Sequence, residues 1–181
     1  MDIEHLIYKS LHNDERAQKQ LFEHFAPFVY AIAMRYSRDS ADAHDVTQEA
    51  FILAFDKLHQ FKSNHGAFKS WLAKITVRVA LHKFRRFYRS HELLTDQHSV
   101  QPIIQPKVYH SLDMDEILKV IQSLPEGFRH VFNLFVIEGY GHRDIGEMLG
   151  IAESTSRATL ARAKKMLREL LIKNNIVSKT S

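Results

Sequence analysis

The side chains in this chain that can do chemistry are cations, carboxylates and aromatic rings, and they fall into three groups. The first lies between Gly139 and Leu170. At about 100° per residue, Arg157, Arg162, Lys164, Lys165 and Arg168 fall on one arc of a helix. Leu160, Ala163, Leu167, Leu170 and Leu171 fall on the opposite arc, and only Ala158 and Ala161 interrupt the cations. Such a face is either a solvated surface or a seat for the phosphates of nucleic acid. The second group is Lys83–Arg89, KFRRFYR, in which Phe84, Phe87 and Tyr88 alternate with cations. Rings beside arginines suit stacking on unpaired bases while the charges hold the backbone. They equally suit a helix end whose rings are core and whose arginines snorkel. The third group is acidic: Asp42, Asp45, Glu49 and Asp56 share a narrow arc of one helix. Like charges at this spacing repel. Asp42 and Asp45 can be explained by the positive end of the helix dipole. Glu49 and Asp56 lie too far along for that, so the stripe is either a solvated face or a docking surface for a basic partner.

Other chemistries find no support. There are no cysteines, which removes disulfides, thiolate metal sites and cysteine nucleophiles. The 12 histidines include no pair three or four residues apart, so no single helix offers paired imidazoles to a metal. No phosphate-binding glycine loop or nucleophile elbow occurs. The expectation is a protein that is not an enzyme and takes no cofactor and no metal. A net charge of +4 with a pI near 9.3 favours an acidic partner, but clustering matters more than so modest an excess.

These groups must be positioned by helices. Glycine and proline are few (6 and 4), and β-branched alternation is scarce. The expected fold class is all-α: two small helical domains joined by a flexible linker, the second containing a helix-turn-helix. Residues 2–12 read as a first helix with Ile3, Leu6, Ile7 and Leu11 on one side. Asn13 or Asp14 caps a second, with Leu21, Phe22 and Phe25 inward, and Pro27 reads as a break or a first-turn position. Asp39 and Ser40 cap a third helix running to about Leu58. Asn64 to Gly66 centre a turn, and a long helix spans Ala67 to about Arg89. Residues 91–111 lose periodicity, hold Pro102 and Pro106, and read as a linker. Leu112–Leu124 is a helix, with Ile117, Leu118, Ile121 and Leu124 inward. A turn follows at Leu124–Gly127, then a hydrophobic helix over Phe128–Ile137. His142–Leu149 is a short amphipathic helix stopped by Gly150, which can take the positive φ of a helix end. A turn over Gly150–Glu153 leads to the basic helix, with Ser154 or Thr155 as its N-cap. The domain reading is therefore 1–90, a linker at 91–112, a second domain at 113–175 and a tail at 176–181.

With both halves laid out, the order of segments resembles the extracytoplasmic-function sigma factors of bacterial RNA polymerase. DVTQEAF (45–51) looks like that family's polymerase-docking motif. GAFKSWLAKI (66–75) with ALHKFRR (80–86) looks like its promoter-melting and −10-reading helix. SLPEGFRHVF (123–132) looks like the opening of its second domain, and the helix-turn-helix like its −35 reader. The resemblance implies an alternative sigma factor that directs promoter-specific initiation. It implies docking on core RNA polymerase through Asp42, Asp45, Gln48 and Glu49. It implies −10 contacts from Asn64, His65, Arg78, His82, Lys83, Arg85, Arg86 and Arg89, with Trp71 as core. It implies −35 contacts from Ser154, Thr155, Arg157, Ala158, Ala161, Arg162 and Lys165. Its implied partners are core polymerase, promoter DNA and an anti-sigma factor.

Some positions depart from the family pattern. Arg78-Val79-Ala80-Leu81-His82 replaces Asn-Leu-Ala-Leu-Asp, which puts the usual −10 preference in question. Thr155-Ser156-Arg157-Ala158-Thr159 replaces Thr-Val-Lys-Ser-Arg. Ser156 there stands for an apolar residue and is expected to loosen the helix pair. Gly146 stands for alanine, at about 1 kcal/mol of helix propensity, and permits closer approach. The competing reading is a stand-alone helix-turn-helix regulator with an N-terminal sensor or dimerisation domain. It would bind duplex DNA tightly by itself. No signal peptide and no membrane insertion are expected, and the expected location is the cytoplasm.

Overall fold

The computed structural model describes residues 2–63, 67–90 and 119–173, without the side chains of 86–90. Helices and turns account for the described residues, with no strand among them. No described helix is long and apolar enough to cross a membrane. The chain divides into two compact units, Met1–Lys83 and Phe84–Ser181.

In the first unit, α1 spans Ile3–Leu11 and is capped by Asp2, whose carboxylate accepts the His5 N–H at 3.1 Å. Leu6 and Ile7 are buried, whereas Leu11 remains exposed. Asp14 caps α2, accepting from the N–H groups of Arg16 (2.9 Å) and Ala17 (3.1 Å). Helix α2 then runs unbroken over Glu15–Tyr36. The break expected at Pro27 does not occur. A proline inside a helix costs about 3 kcal/mol through its missing N–H and its ring. Here Leu21, Phe25, Val29, Ile32, Ala33 and Tyr36 are all buried along one side of the same helix. That burial, about 1.5–3 kcal/mol for each large side chain, outweighs one lost hydrogen bond.

Helix α3 covers Ser40–Asp56, with Asp39 accepting the Asp42 N–H at 2.8 Å. Its buried face is Ala43, Val46, Thr47, Ala50, Phe51 and Ala54. Three of those six are alanine, so α3 lies close against its neighbours. Phe51 meets Phe22 of α2, centroids 4.7 Å apart, which explains how Phe22 is both partly exposed and packed. A short 3₁₀ turn, Leu58–Gln60, closes the helix by burying Leu58. Helix α4 spans Phe68–Ser90. Its start rests on a ring cluster in which Phe68 contacts Phe25 (5.2 Å), Phe61 (5.4 Å) and Trp71 (5.6 Å). The turn expected at Asn64–Gly66 and the linker at 91–112 lie outside the described residues, as does the tail at 176–181.

In the second unit, residues 119–122 are helical, and Val120, Ile121 and Leu124 are buried. Ile117 and Leu118 lie outside the described residues. Helix α5 covers Glu126–Phe132, beginning two residues before the expected start, with Pro125 in the N-cap position. It widens at Asn133–Ile137 into a π-helical turn, where the Glu138 N–H reaches the Asn133 carbonyl at 3.0 Å. Helix α6 is His142–Leu149, and Gly150 ends it with φ 72°. Helix α7 covers Glu153–Lys173.

Candidate functional site

Three helix faces gather the residues singled out by type and spacing. On α3, Asp45, Gln48, Glu49 and Asp56 are exposed, opposite the buried alanine-rich side. The helix period places them there: positions 45, 48, 49 and 56 return to one arc after one, one and three turns. Ile52 stands on the same arc and is 70% exposed. Asp42 is different. It is half-buried, accepts the Arg38 N–H at 3.2 Å and faces the Arg38 guanidinium at 3.9 Å. Its carboxylate holds the loop that enters α3.

Lys83 of α4 reaches across to this face. Its ammonium lies 3.4 Å from a carboxylate oxygen of Asp45 and 3.4 Å from one of Glu49. Sequence spacing alone gives no sign of this bridge, since 38 residues separate Lys83 from Asp45. The contact brings a residue assigned to DNA together with two assigned to polymerase. Behind α3, Tyr30 of α2 sets its ring on His44 at 4.6 Å. Partial burial holds the Tyr30 phenol above its ordinary value.

On α4, Arg78 and His82 are exposed and Arg85 is half-buried. Lys74, four residues before Arg78, extends the same exposed row. Composition marks it no more than any other lysine, and only its place in the row singles it out. Asn64 and His65, and the side chains of Arg86 and Arg89, lie outside the described residues. Trp71 is half-buried, its ring 5.5 Å from that of Phe61. It packs on that ring without reaching the full burial of the core position expected for it.

On α7, all seven predicted residues are exposed: Ser154, Thr155, Arg157, Ala158, Ala161, Arg162 and Lys165. The opposite side buries Ser156, Leu160 and Ala163. Arg157 pairs with Glu153 one turn earlier. Two junction details differ from expectation. The first is the start of α7. Ser154 and Thr155 do not cap it; both lie in its first turn, and the Ser156 N–H already bonds the Ala152 carbonyl at 3.0 Å. The turn is one residue tighter because Gly146 lets it close. A Cβ built on Gly146 would stand 2.8 Å from the Ile151 carbonyl oxygen. The second is Ser156, which is fully buried but has a partner on the facing helix. Its hydroxyl and His142 Nδ1 are 3.0 Å apart, a bond joining α6 to α7. The His142 ring stacks on Phe135 at 4.5 Å, and the Lys164 ammonium lies 5.6 Å above that same Phe135.

Chemically, the arrangement offers charge and shape. Among the described residues no group of three histidines or carboxylates is placed to hold a metal ion. A basic helix after a tight turn can enter a major groove and meet phosphates. An acidic face with an apolar residue in it can meet a basic protein surface.

Comparison with known proteins agrees with this geometry. The family model for Sigma-70 region 2 matches residues 21–90, and that for Sigma-70, region 4 matches residues 114–167. The chain is 33% identical over 161 residues to the ECF RNA polymerase sigma factor SigE of Mycolicibacterium smegmatis, covering 86% of this chain and 62% of that protein. It is 28% identical over 180 residues to the RNA polymerase sigma-H factor of Pseudomonas aeruginosa, covering 92% of each. Among solved structures, the sigma factor RpoE of Bartonella quintana, in complex with the anti-sigma factor NepR, matches with a TM-score of 0.53. Sequence identity there is 26%, over 84% of this chain and 95% of that one.

Proposed function

The chain belongs to the sigma-70 family, in its extracytoplasmic-function branch, and from that premise we propose that it docks on core RNA polymerase through α3 and reads promoter DNA through α4 and α7. One observation carries this reading above the rest. All seven residues that the resemblance implies for the −35 contact stand together on one exposed face of α7, on the second helix of a helix-turn-helix. That face supplies Arg157, Arg162 and Lys165 for phosphate, with Ser154, Thr155, Ala158 and Ala161 small enough to let the helix sit deep in the groove.

The −10 element falls to α4 in the same reading. Arg78 and His82 meet the strand first, and Lys74 belongs with them. Arg85, Arg86 and Arg89 lie further along, and Asn64 and His65 precede the helix in sequence. A base turned out of the stack costs a few kcal/mol, which contacts of this kind must offset. On α3, Asp45, Gln48 and Glu49 meet polymerase, while Asp42 supports their helix from its N-terminal end. The function is positioning, with no bond made or broken by this chain, and its place is beside polymerase in the cytoplasm. The solved relative is bound to an anti-sigma factor, which supports a partner of that kind here.

Reversing charge at Asp45 and Glu49 together tests the docking assignment. Loss of core-polymerase capture in a pull-down, with the variant still folded, is the expected result. Capture at the parent level would refute the assignment. The stand-alone regulator differs in a cheap measurement. It would shift duplex DNA tightly without polymerase, whereas this chain is expected to shift it only weakly.

A further inference from the structure

The docking face of α3 contains a residue that neither charge nor motif marks. Ile52 is 70% exposed, the highest value among the large hydrophobic residues described. It does not lie at a frayed end. It sits within α3, whose other side is buried through Phe51 and Ala54, its near neighbours in sequence. An exposed β-branched residue does nothing for helix propensity. A single exposed isoleucine is unremarkable on a protein surface, but this one stands between Glu49 and Asp56 on the stripe that includes Asp45 and Gln48.

The carboxylates beside it are less available than their number suggests. Lys83 lies 3.4 Å from both Asp45 and Glu49, whose side chains are 68% and 52% exposed. A partner's cation must therefore share those two carboxylates with Lys83, in water. Ion pairs of that kind are weak and screened by salt. Displacing water from an apolar side chain ringed by polar groups is the stronger contact, and it is the pattern of an interface hot spot.

We propose that Ile52 is the apolar anchor of the polymerase contact, and that it carries more of the affinity than any single carboxylate around it. The carboxylates orient the partner and Ile52 holds it. The surface that fits is a basic one with an apolar notch among its cations, the complement of an isoleucine flanked by Glu49 and Asp56. This inference rests on the reading of α3 as the polymerase-docking helix.

The test uses the full chain and core polymerase, with Kd measured at low and high salt. Ile52→Ala is expected to weaken binding about thirtyfold at both salts, the threshold of a hot spot. Asp45→Asn and Glu49→Gln are expected to weaken it a few-fold at low salt and hardly at all at high salt. Ile52→Leu, which keeps the apolar bulk, is expected to restore most of the affinity. Thermal melting checks that each variant folds. An Ile52→Ala variant within twofold of the parent overturns the anchor. If charge reversal at Asp45 and Glu49 abolishes binding while Ile52→Ala is silent, the anchor fails and the docking helix stands. If both are silent, the docking helix fails too. Should the parent prove dimeric and Ile52→Ala monomeric, the occupant is a second copy of this chain and the polymerase assignment of Ile52 is overturned.

Discussion

At the scale of single residues, the turn between α6 and α7 shows where spacing is enough and where it is not. Gly150 is legible as a helix stop because only a residue at ease with positive φ ends a helix this way, and it stands at φ 72°. Gly146 is read less completely from sequence. Its cost in helix propensity is visible, about 1 kcal/mol relative to alanine. The reason for bearing that cost is not, since it lies in a backbone carbonyl five residues later, where a Cβ would stand at 2.8 Å. The two effects have opposite signs, and the clash is with backbone, which cannot swing aside as a flexible side chain would. Gly146→Ala is therefore expected to destabilise the protein, on the order of 1 kcal/mol, despite the better helix former. A thermal melt decides the sign, and a raised melting temperature would mean that the turn yields easily. Ser156 belongs to the same class. Pattern marks it as a polar residue in an apolar position; only the fold supplies His142 as its partner at 3.0 Å.

At the scale of elements, helix existence and facing are mostly written in the periodicity. The caps at Asp14 and Asp39, the extent of α6 and the exposed face of α7 follow from local spacing. Helix α2 departs from it because Pro27 is a local signal and the burial of Val29, Ile32 and Tyr36 is not. The meeting of α3 and α4 is likewise invisible to any single helix. Lys83 was assignable from sequence only as one more cation of a basic run, yet it lies against Asp45 and Glu49. Two half-exposed pairs of this sort contribute about 0–1 kcal/mol each. Lys83→Met is accordingly expected to change the melting temperature little. It is also expected to tighten the grip of a basic partner on α3 a few-fold at low salt, because a competing ammonium is gone. The gain should vanish at high salt. Titration of core polymerase at two ionic strengths measures it, and a loss of affinity at low salt would show that Lys83 helps the contact instead.

At the scale of the whole molecule, the net charge of +4 conceals a division of labour. Helix α3 carries four carboxylates and no lysine or arginine, while α7 carries six lysines and arginines against two glutamates. Global charge thus says little about partners, whereas its distribution says a great deal. If Arg162 meets a phosphate, Arg162→Ala should weaken promoter binding across sequences and lower the salt slope by about one. A full-chain titration with polymerase over a salt series reads that slope, and an unchanged value would remove Arg162 from the phosphate contacts. The two faces also lie on different compact units of one chain, divided between Lys83 and Phe84. If α3 seats on polymerase as proposed, α7 no longer searches for DNA from bulk solution. It would meet the duplex as part of one chain, at an effective concentration above that of the free protein. A weak groove contact would then be occupied more of the time than it is in free solution. It can also let go, unit by unit, without the whole protein having to leave at once.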